Sequence, residues 1–241
     1  MMNLLVTGGT RGLGLEIVRQ QLEVGHNLIA VGRTLSEPLQ ELLEIYSGRL
    51  TFVACDLSDP AAIKSSIFGA RVVKDRPVDG MVNNAAIAYD DLVSNVDLEK
   101  LEELYRVNVF APIMLTKLAI RHMLLHHTRG SLVHISSVSA HTGYKGLAMY
   151  ASTKGAIEAF SKNVAREWGA LGIRSNCVVP GFMETDLSAS LSQEHKQRIF
   201  QRTSLKQPTC VNSAAATVGF LLSDSSRSIT GQEFFVDAGT T

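Results

Sequence analysis

The stretch Asn3-Leu-Leu-Val-Thr7 and its continuation Gly8-Gly-Thr-Arg-Gly12-Leu-Gly14 decide the fold of this chain. An apolar strand runs straight into a glycine-rich turn, and residues 15–24 then have the apolar spacing of a helix. Glycine lets a backbone approach a pyrophosphate, and a helix N-terminus presents N–H groups and a partial positive charge. The stretch predicts the first unit of a dinucleotide-binding sheet, although a tight turn without a ligand remains the alternative.

Strand-sized apolar runs and helical patterns alternate along the rest of the chain, which predicts a parallel sheet covered by helices on both faces. We predict strands at residues 3–7, 26–31, 50–54, 78–82, 131–135, 173–179 and 233–236, and helices at 15–24, 35–46, 59–75, 97–127, 149–168 and 211–222. The polar segment 188–201 lacks a strong apolar stripe and is predicted to be a mobile lid. No linker or repeat interrupts the pattern, so one domain spanning residues 1–241 is expected.

The composition suits a chain with a substantial core, since 45% of the 241 residues are hydrophobic and 19% are charged. Lys plus Arg (23) equals Asp plus Glu (23), which gives no reason to expect nucleic acid or an anionic membrane as a partner. The longest apolar runs are strand-sized and the N-terminus has no basic leader, so a cytoplasmic protein without a membrane span is expected. The cysteines, at 55, 177 and 210, have no metal-ligand spacing, which predicts no metal site.

The end of the second predicted strand bears on the choice of cofactor. A unit that prefers NAD has an acidic side chain near this point, but Gly32 and Arg33 stand there, and Arg11 lies in the glycine-rich turn. Arginine binds phosphate as a fork, so two guanidinium groups without a carboxylate favour the 2′-phosphate of NADP. The alternative is that each Arg is a solvated surface charge.

Tyr150-Ala-Ser-Thr-Lys154 is the strongest candidate for the chemistry. Residues four apart lie on one face of a helix, so the Tyr150 phenol and the Lys154 ammonium share the same space. A phenol has an ordinary pKa of about 10, and a nearby cation favours the phenolate, so Lys154 is expected to lower the pKa of Tyr150. The pair suits proton transfer near neutral pH, and accidental neighbours on an exposed face are the alternative.

Other polar residues stand where catalytic groups are expected. Asp56 and Ser137 follow predicted strands, and ligands of open α/β sheets bind at the carboxyl ends of strands. For Asp56 the alternative is a helix cap. Pro112 has no N–H for the Asn108 carbonyl, so the helix at 97–127 should kink there and free that carbonyl to bind a water molecule. A kink that only shapes packing is the alternative.

In order and at these spacings, the motifs resemble those of the classical short-chain dehydrogenase/reductases, most of all the 3-oxoacyl-(acyl-carrier-protein) reductase branch. The resemblance covers residues 4–239 and rests on Thr7-Gly8-x-x-x-Gly12-x-Gly14, Asp56-Leu57, Asn83-Asn84-Ala85, Asn108, Ser137, Tyr150-x-x-x-Lys154 and Pro180-Gly181. It implies a single-domain Rossmann fold with a doubly wound seven-stranded parallel sheet. It also implies an NADP(H)-dependent oxidoreductase that reduces a 3-oxoacyl thioester, as in fatty acid biosynthesis, or a related ketone. Ala86 and Ala238 depart from the glycines usual in the family, which affects fine packing.

The resemblance also implies roles for the motif residues. Tyr150 exchanges a proton with the carbonyl or alcohol, and Ser137 holds the substrate oxygen. Lys154 lowers the Tyr150 pKa and binds the nicotinamide ribose, while the Asn108 carbonyl holds a water molecule that continues the proton path. The implied cofactor-binding residues are Gly8, Thr10, Arg11, Gly12, Leu13, Gly14, Arg33, Asp56, Leu57, Asn83, Ala85, Tyr150, Lys154, Pro180, Gly181, Met183 and Thr185.

The substrate stays open in the sequence. An apolar set suits an acyl chain, a cyclic ketone or a steroid-like molecule: Leu147, Met149, Phe182, Met183 and Leu187. An acyl carrier protein is a candidate partner, which would dock on Arg121, Arg129 and the neighbouring histidines. Three rivals are disfavoured: sensors on this fold usually lack part of the Ser–Tyr–Lys set, extended-type epimerases have a larger C-terminal domain, and the enoyl-reductase variant separates its Tyr and Lys by six residues.

The two long predicted helices carry apolar residues on more than one face, namely Leu115, Leu118 and Met123 on the first and Phe160, Val164 and Trp168 on the second. A helix that only covered a sheet would need one stripe. In relatives these helices pair across one two-fold axis and the C-terminal segment packs across a second, so the resemblance implies a homotetramer.

Overall fold

A computed structural model describes residues 1–69, 73, 76–185 and 192–241 of the chain. Within them, parallel strands form one seven-stranded sheet in the order β3-β2-β1-β4-β5-β6-β7. The strands are β1 (Asn3–Thr7), β2 (Asn27–Gly32), β3 (Leu50–Ala54), β4 (Gly80–Asn83), β5 (Ser131–Ile135), β6 (Arg174–Pro180) and β7 (Glu233–Val236). The chain winds outward in opposite directions from the boundary between β1 and β4, so the sheet is doubly wound, as predicted.

Helices cover both faces of this sheet. The described α-helices are α1 (Gly12–Glu23), α2 (Glu37–Ile45), α3 (Leu98–Tyr105), α4 (Ala111–Leu125), α5 (Ala148–Trp168), α6 (Gln193–Phe200) and α7 (Val211–Leu222). Strand β1 shows how the side chains divide: Leu4 and Val6 pack in a cluster with α1 and α7, whereas Leu5 packs on the opposite face with α4. Successive strand residues point to opposite faces, so a continuously apolar strand needs helices on both.

The helix predicted at 97–127 changes geometry at its proline. Asp97 caps α3 by accepting from the Glu99 N–H at 2.9 Å. A π-helical turn, Arg106–Phe110, then joins α3 to α4, and Pro112 lies in the first turn of α4. The sequence located this interruption correctly, and the structure shows its form to be a π-turn, a feature frequent at functional sites.

The joined helix Leu98–Leu125 is a longer apolar element than the strand-sized runs that the sequence suggested. It spans 28 residues and contains an 18-residue window with a mean hydropathy of 1.2, enough by length and composition alone to cross a membrane. However, 56% of its apolar window is buried inside the protein, where α4 packs on the sheet. A core helix meets the same criteria of length and hydropathy.

Two predicted elements take a different form. Residues 193–200 of the predicted lid form α6, with Ser192 accepting a hydrogen bond from the His195 N–H, while residues 188–191 lie outside the described part. Of the helix predicted at 59–75, the described portion includes a π-helical turn at Lys64–Phe68.

The departure from glycine at Ala238 affects the backbone and not only the packing. Ala238 has a φ of 55°, in the left-handed region that favours glycine. A side chain with a Cβ costs about 1 kcal/mol there. The Ala238 carbonyl accepts a hydrogen bond from the Leu205 N–H at 3.0 Å, and Asp237 accepts one from the Thr241 N–H at 2.9 Å, so the surrounding C-terminal segment holds this conformation.

Candidate active site

The carboxyl end of β5 and the first turns of α5 bring Ser137, Tyr150 and Lys154 together. Tyr150 and Lys154 lie one turn apart on α5, with Lys154 Nζ 5.4 Å from the centre of the Tyr150 ring. The Ser137 hydroxyl lies near enough to the Tyr150 hydroxyl to lower the pKa of that phenol. The buried Lys154 ammonium donates to the Ile135 carbonyl at 2.9 Å. Three side chains that the sequence selected as catalytic are therefore neighbours in space.

The electrostatics of Tyr150 differ from the expectation. Burial raises the pKa of Tyr150 well above its ordinary value and the Asp90 carboxylate raises it further, while the Ser137 hydroxyl lowers it. The expected lowering by Lys154 is not seen, because its ammonium is directed at the Ile135 carbonyl. The phenol is therefore neutral at neutral pH and holds the proton that an acid catalyst must donate.

Lys154 is a cation whose charge is sensitive to alkaline pH. Burial lowers the pKa of Lys154 to about 8, and the neighbouring acidic groups Cys177 and Glu158 oppose this lowering. The ammonium form therefore predominates at pH 7 and is lost as the pH rises through 8.

Ser139 is a neighbour of the reacting groups that the sequence did not single out. Its backbone N–H and its hydroxyl donate to Ser137 Oγ at 3.2 and 3.0 Å. These two bonds use the acceptor capacity of Ser137, so its own proton remains for a partner on the Tyr150 side. The signal in the sequence was a second hydroxyl two residues after the first, which alone is too common to select.

Both polar atoms of the Asn108 side chain form hydrogen bonds inside the protein. Its Nδ2 donates to the Ile87 carbonyl at 2.9 Å and to Thr153 Oγ1 at 3.2 Å, and its Oδ1 accepts from the Ile87 N–H at 2.9 Å. Thr153 in turn donates to the Tyr150 carbonyl at 2.7 Å. The side chain of Asn108 thus clamps the segment after β4 to the catalytic helix, and its backbone carbonyl is the atom that Pro112 leaves without a helical donor.

The glycine-rich turn has the geometry of a close-approach loop. Gly8 and Gly12 adopt positive φ values of 65° and 54°. A Cβ on Gly14 would lie 2.0 Å from the Gly8 carbonyl oxygen. A side chain at Gly8 or Gly12 would be strained by its φ, and one at Gly14 would overlap the Gly8 carbonyl oxygen, so glycines keep this backbone free of side chains of its own, as a pyrophosphate cradle requires.

Gly14→Ala is therefore expected to weaken NADPH binding by more than about tenfold, because the methyl group must push the Gly8 carbonyl out of the cradle. The measurement is a fluorescence titration of NADPH. Gly169→Ala is the matched control, since a Cβ there meets nothing within 4 Å. Unchanged affinity in Gly14→Ala would show that the loop does not hold the cofactor.

Thr7 and Asn84 tie this loop to the end of β4, and neither was among the predicted site residues. Thr7 Oγ1 accepts from the N–H groups of Asn84 and Ala85 at 3.0 and 3.1 Å. Asn84 Nδ2 donates to the Thr7 and Gly8 carbonyls at 2.9 and 3.3 Å. The Ala85 N–H is thus already used inside the protein.

Several predicted cofactor-binding residues point their side chains into the core. Asn83 Nδ2 lies 3.2 Å from Thr116 Oγ1 and 3.1 Å from His134 Nδ1. Leu13 and Leu57 are buried in the clusters on the two faces of the sheet. Because their side chains are buried, these residues have only backbone groups left to bind a ligand. The sequence did not show this, since helical and strand periodicity do not distinguish a core-facing residue from one at the site.

The ends of β2 and β3 place Arg33 close to Asp56. The Ser58 N–H donates to Asp56 at 2.9 Å and this bond is the main cause of the lowered pKa of Asp56, with a smaller contribution from the Arg33 cation. Both side chains are exposed. Behind them, Ser36 donates to the Thr10 carbonyl and thereby ties the start of α2 to the loop. Arg33 thus lies at the carboxyl end of β2, where the sequence predicted the cofactor site, and the Asp56 carboxylate after β3 lies near it.

On the other side of the loop, Thr185 comes over Gly12, since a Cβ on Gly12 would lie 3.6 Å from the Thr185 side chain. Pro180 ends β6, and the Gly181 N–H donates to the Val236 carbonyl at 2.9 Å. A Cβ on Gly181 would lie 2.5 Å from Thr209 Oγ1, so only glycine fits. The segment after β6 therefore borders the cradle as predicted.

The predicted apolar set does not form one pocket among the described residues. Met149 lines a groove between α3 and α5, Phe182 packs 5.8 Å from the ring of Phe200, and Met183 packs against the core. Leu187 lies outside the described residues. Adjacent residues of α5 point about 100° apart, so Met149 and Tyr150 cannot face the same space.

Residues 8–241 match a family model described as enoyl-(acyl carrier protein) reductase. The chain is 31% identical over 239 residues to a 3-oxoacyl-(acyl-carrier-protein) reductase of Chlamydia pneumoniae, covering 98% of this chain and 96% of that protein. It is 32% identical over 237 residues to carbonyl reductase (NADPH) 2 of Sus scrofa, with coverage of 98% and 94%. A solved structure of gluconate 5-dehydrogenase from Burkholderia cenocepacia, in complex with NADP and tartrate, matches with a TM-score of 0.92 at 26% identity, covering 99% of this chain and 94% of that one.

Proposed function

Because the chain belongs to the short-chain dehydrogenase/reductase family, we propose that it is an NADP(H)-dependent oxidoreductase that reduces a 3-oxoacyl thioester or a related ketone. NADP(H), when bound, supplies or accepts the hydride at the substrate carbon. The observation that carries the proposal is the neutral Tyr150 phenol, which lies near Ser137 and one helical turn from the buried Lys154.

The chain's own residues handle the proton. Ser137, with its acceptor positions used by Ser139, donates a hydrogen bond to the substrate carbonyl oxygen. Tyr150 gives its proton to that oxygen as negative charge develops on it. The Lys154 ammonium lies 5.4 Å from the ring centre and donates to the Ile135 carbonyl, which fixes a cation one helical turn from the phenol. A raised Tyr150 pKa supports the reductive direction, since the acid form is the resting form.

The residues around the cradle fit the cofactor. Gly8, Gly12 and Gly14 leave the backbone at the start of α1 open to a pyrophosphate. Arg33 at the end of β2 and Arg11 in the loop would hold the 2′-phosphate. Lys154 would hold the nicotinamide ribose, and the segment at Thr185 would hold the carboxamide. The NADP present in the matched gluconate 5-dehydrogenase supports this choice of cofactor.

A second candidate substrate is a small or cyclic ketone. The 32% identity to a carbonyl reductase supports it as well as the 31% identity to an acyl-carrier-protein reductase supports the thioester. Enoyl reduction is disfavoured, because this chain has Tyr150-x-x-x-Lys154 instead of the wider spacing of that variant. A sensor role is disfavoured by the assembled Ser–Tyr–Lys cluster.

An acyl carrier protein remains a proposed partner, but not on the surface that the sequence suggested. Arg129 lies between α4 and β5 and packs beside Gly172, which precedes β6. Arg121 and the histidines lie at the end of the same helix, so this basic group sits at the amino edge of the sheet, opposite Tyr150. We further propose a cytoplasmic enzyme without nucleic acid or membrane as a partner.

The substrate class is tested by following NADPH oxidation by the purified protein with a 3-oxoacyl thioester, simple ketones, cyclic ketones and quinones in parallel. The proposal expects turnover with a 3-oxoacyl thioester and equal or weaker turnover with simple ketones. Turnover confined to cyclic or simple ketones would establish the second candidate. No turnover with any carbonyl compound would refute both.

We still propose a homotetramer, but the residues proposed for its interface differ from those that the sequence suggested. Leu115, Met123 and Val164, expected to carry extra apolar surface, are buried within the monomer. Instead, a groove of about 560 Å³ lies between α3 and α5. Its rim includes the exposed side chains of Leu98 (68%) and Phe110 (50%). This groove supports a homotetramer in which α3 and α5 pair with a second copy across a two-fold axis.

Light scattering at low micromolar concentration is expected to give the mass of a tetramer, because the exposed groove would be covered by a second copy and the C-terminal segment is proposed to pack across a second two-fold axis. Leu98→Glu should dissociate the assembly, since it places a charge in that interface, whereas Leu171→Glu, on an exposed side chain after α5, is the control. A fully active wild-type monomer would show that the groove has another use.

A further inference from the structure

A group of titratable side chains around the buried Glu158 lies one turn further along the catalytic helix from Lys154. The Glu158 cluster consists of His141, Glu158, Lys162 and Glu233, from the turn after β5, from α5 and from β7. Glu158 is 7% exposed, and its Oε1 accepts from Ser136 Oγ and from His141 Nε2, the latter at 2.9 Å. Glu233 lies 3.8 Å from His141 Nε2 and 2.6 Å from Lys162 Nζ. A buried carboxylate needs such partners to remain charged.

The Glu158 cluster is joined to the active site residue by residue. Ile135, Ser136 and Ser137 follow one another at the end of β5, and each lies beside a different side chain of α5. The Ile135 carbonyl accepts from Lys154, the Ser136 hydroxyl donates to Glu158, and the Ser137 hydroxyl lies near that of Tyr150 and lowers its pKa. Glu158 therefore fixes the middle of the segment whose two ends hold the catalytic cation and the substrate-binding hydroxyl.

Glu158 is also the anion that acts on Lys154 at neutral pH. Of the two groups that raise the Lys154 pKa, Cys177 on β6 has its own pKa raised to about 12 by burial, so its thiol is uncharged. Glu158 lies one helical turn after Lys154 and is the other group that raises the Lys154 pKa. The other titratable groups that face the cluster, His141, Lys162 and Glu233, contact one another or Glu158.

We propose that Glu158 is a positioning residue of the active site, which anchors Ser136 and supplies the negative charge that keeps Lys154 a cation. This inference rests on the proposed function, in which the Lys154 ammonium holds the nicotinamide ribose. Removal of the charge lowers the Lys154 pKa further. The cation is present below this pKa and lost above it, so every property that needs the Lys154 cation should then be lost at a lower pH.

The test compares Glu158→Gln with the wild type in the full chain by titrating NADPH fluorescence from pH 6 to pH 10. Wild-type affinity is expected to fall as the pH rises past about 8. In Glu158→Gln, whose amide still accepts from Ser136, the fall is expected about one pH unit lower. Glu167→Gln, the same change at an exposed position of α5, should follow the wild type.

The outcomes separate this inference from the proposed reaction, since binding requires no turnover. Superimposable profiles for Glu158→Gln and the wild type, or a wild-type profile without an alkaline fall, would overturn the inference whether or not a ketone is reduced. Glu158→Asp keeps the charge and is expected to keep the wild-type profile, so it serves even if circular dichroism shows the Gln variant unfolded. A profile of the Asp variant displaced to lower pH would also overturn the inference.

Discussion

Tyr150→Phe is expected to lower kcat for ketone reduction by about 10²- to 10⁴-fold while leaving NADPH affinity nearly unchanged. The substitution removes one hydroxyl, which is the only group of this side chain that bears the transferable proton and lies near Ser137. The remaining ring preserves the packing of α5. Steady-state kinetics and a fluorescence titration of NADPH measure the two effects separately.

The control for this experiment is Tyr46→Phe, which removes a phenol hydroxyl at the end of α2, far from β5 in the sheet. It should keep wild-type kinetics. A Tyr150→Phe enzyme that turns over within a few-fold of the wild type would remove Tyr150 from the mechanism. A variant that loses NADPH affinity to the same extent as kcat would indicate a structural effect instead of a proton-transfer effect.

NADPH is expected to give a higher kcat/KM than NADH, and Arg33→Ala should reduce this preference about ten- to a hundredfold. A charge-assisted contact to a phosphate contributes roughly 1.5 to 3 kcal/mol, which corresponds to this range. Arg121→Ala removes an exposed charge at the opposite edge of the sheet and should leave the preference intact. Equal kcat/KM for both cofactors in the wild type would contradict the assignment of Arg33.

Introducing an acid at Gly32 is a less suitable way to reverse this preference. A Cβ on Gly32 would lie 2.7 Å from Thr10 Cγ2, so the side chain of the loop residue must move before any carboxylate can reach a ribose. Loss of activity in such a variant would not distinguish a change in cofactor preference from distortion of the loop.

The parts of the structure that follow from local periodicity could be predicted from the sequence. Tyr150 and Lys154 share a helix face because they are four residues apart, and the interruption near Asn108 follows from the missing N–H of Pro112. The central strands could be placed because both of their faces are apolar. The order of these elements then favours a doubly wound sheet with its polar ends at one edge.

The rest depends on contacts between distant segments. Glu233 approaches His141 only because β7 adds to the edge of the sheet beside β6, which no local pattern shows. The direction of the Lys154 ammonium depends on the Ile135 carbonyl, and the raised Tyr150 pKa depends on burial and on Asp90. Leu115 and Met123 were assigned to an interface because a hydropathy pattern cannot distinguish a face that meets a sheet from one that meets another subunit.

The central claim, that hydride transfer to a carbonyl carbon is coupled to a proton from Tyr150, is tested most directly with NADPH deuterated at C4 of the nicotinamide. The wild-type enzyme and a carbonyl substrate identified in the NADPH-oxidation screen should give an alcohol with deuterium on the former carbonyl carbon, as measured by mass spectrometry. Tyr150→Phe should bind the same cofactor and form this product at least about a hundredfold more slowly. An alcohol without deuterium, or equal rates of deuterium transfer in both proteins, would contradict the claim.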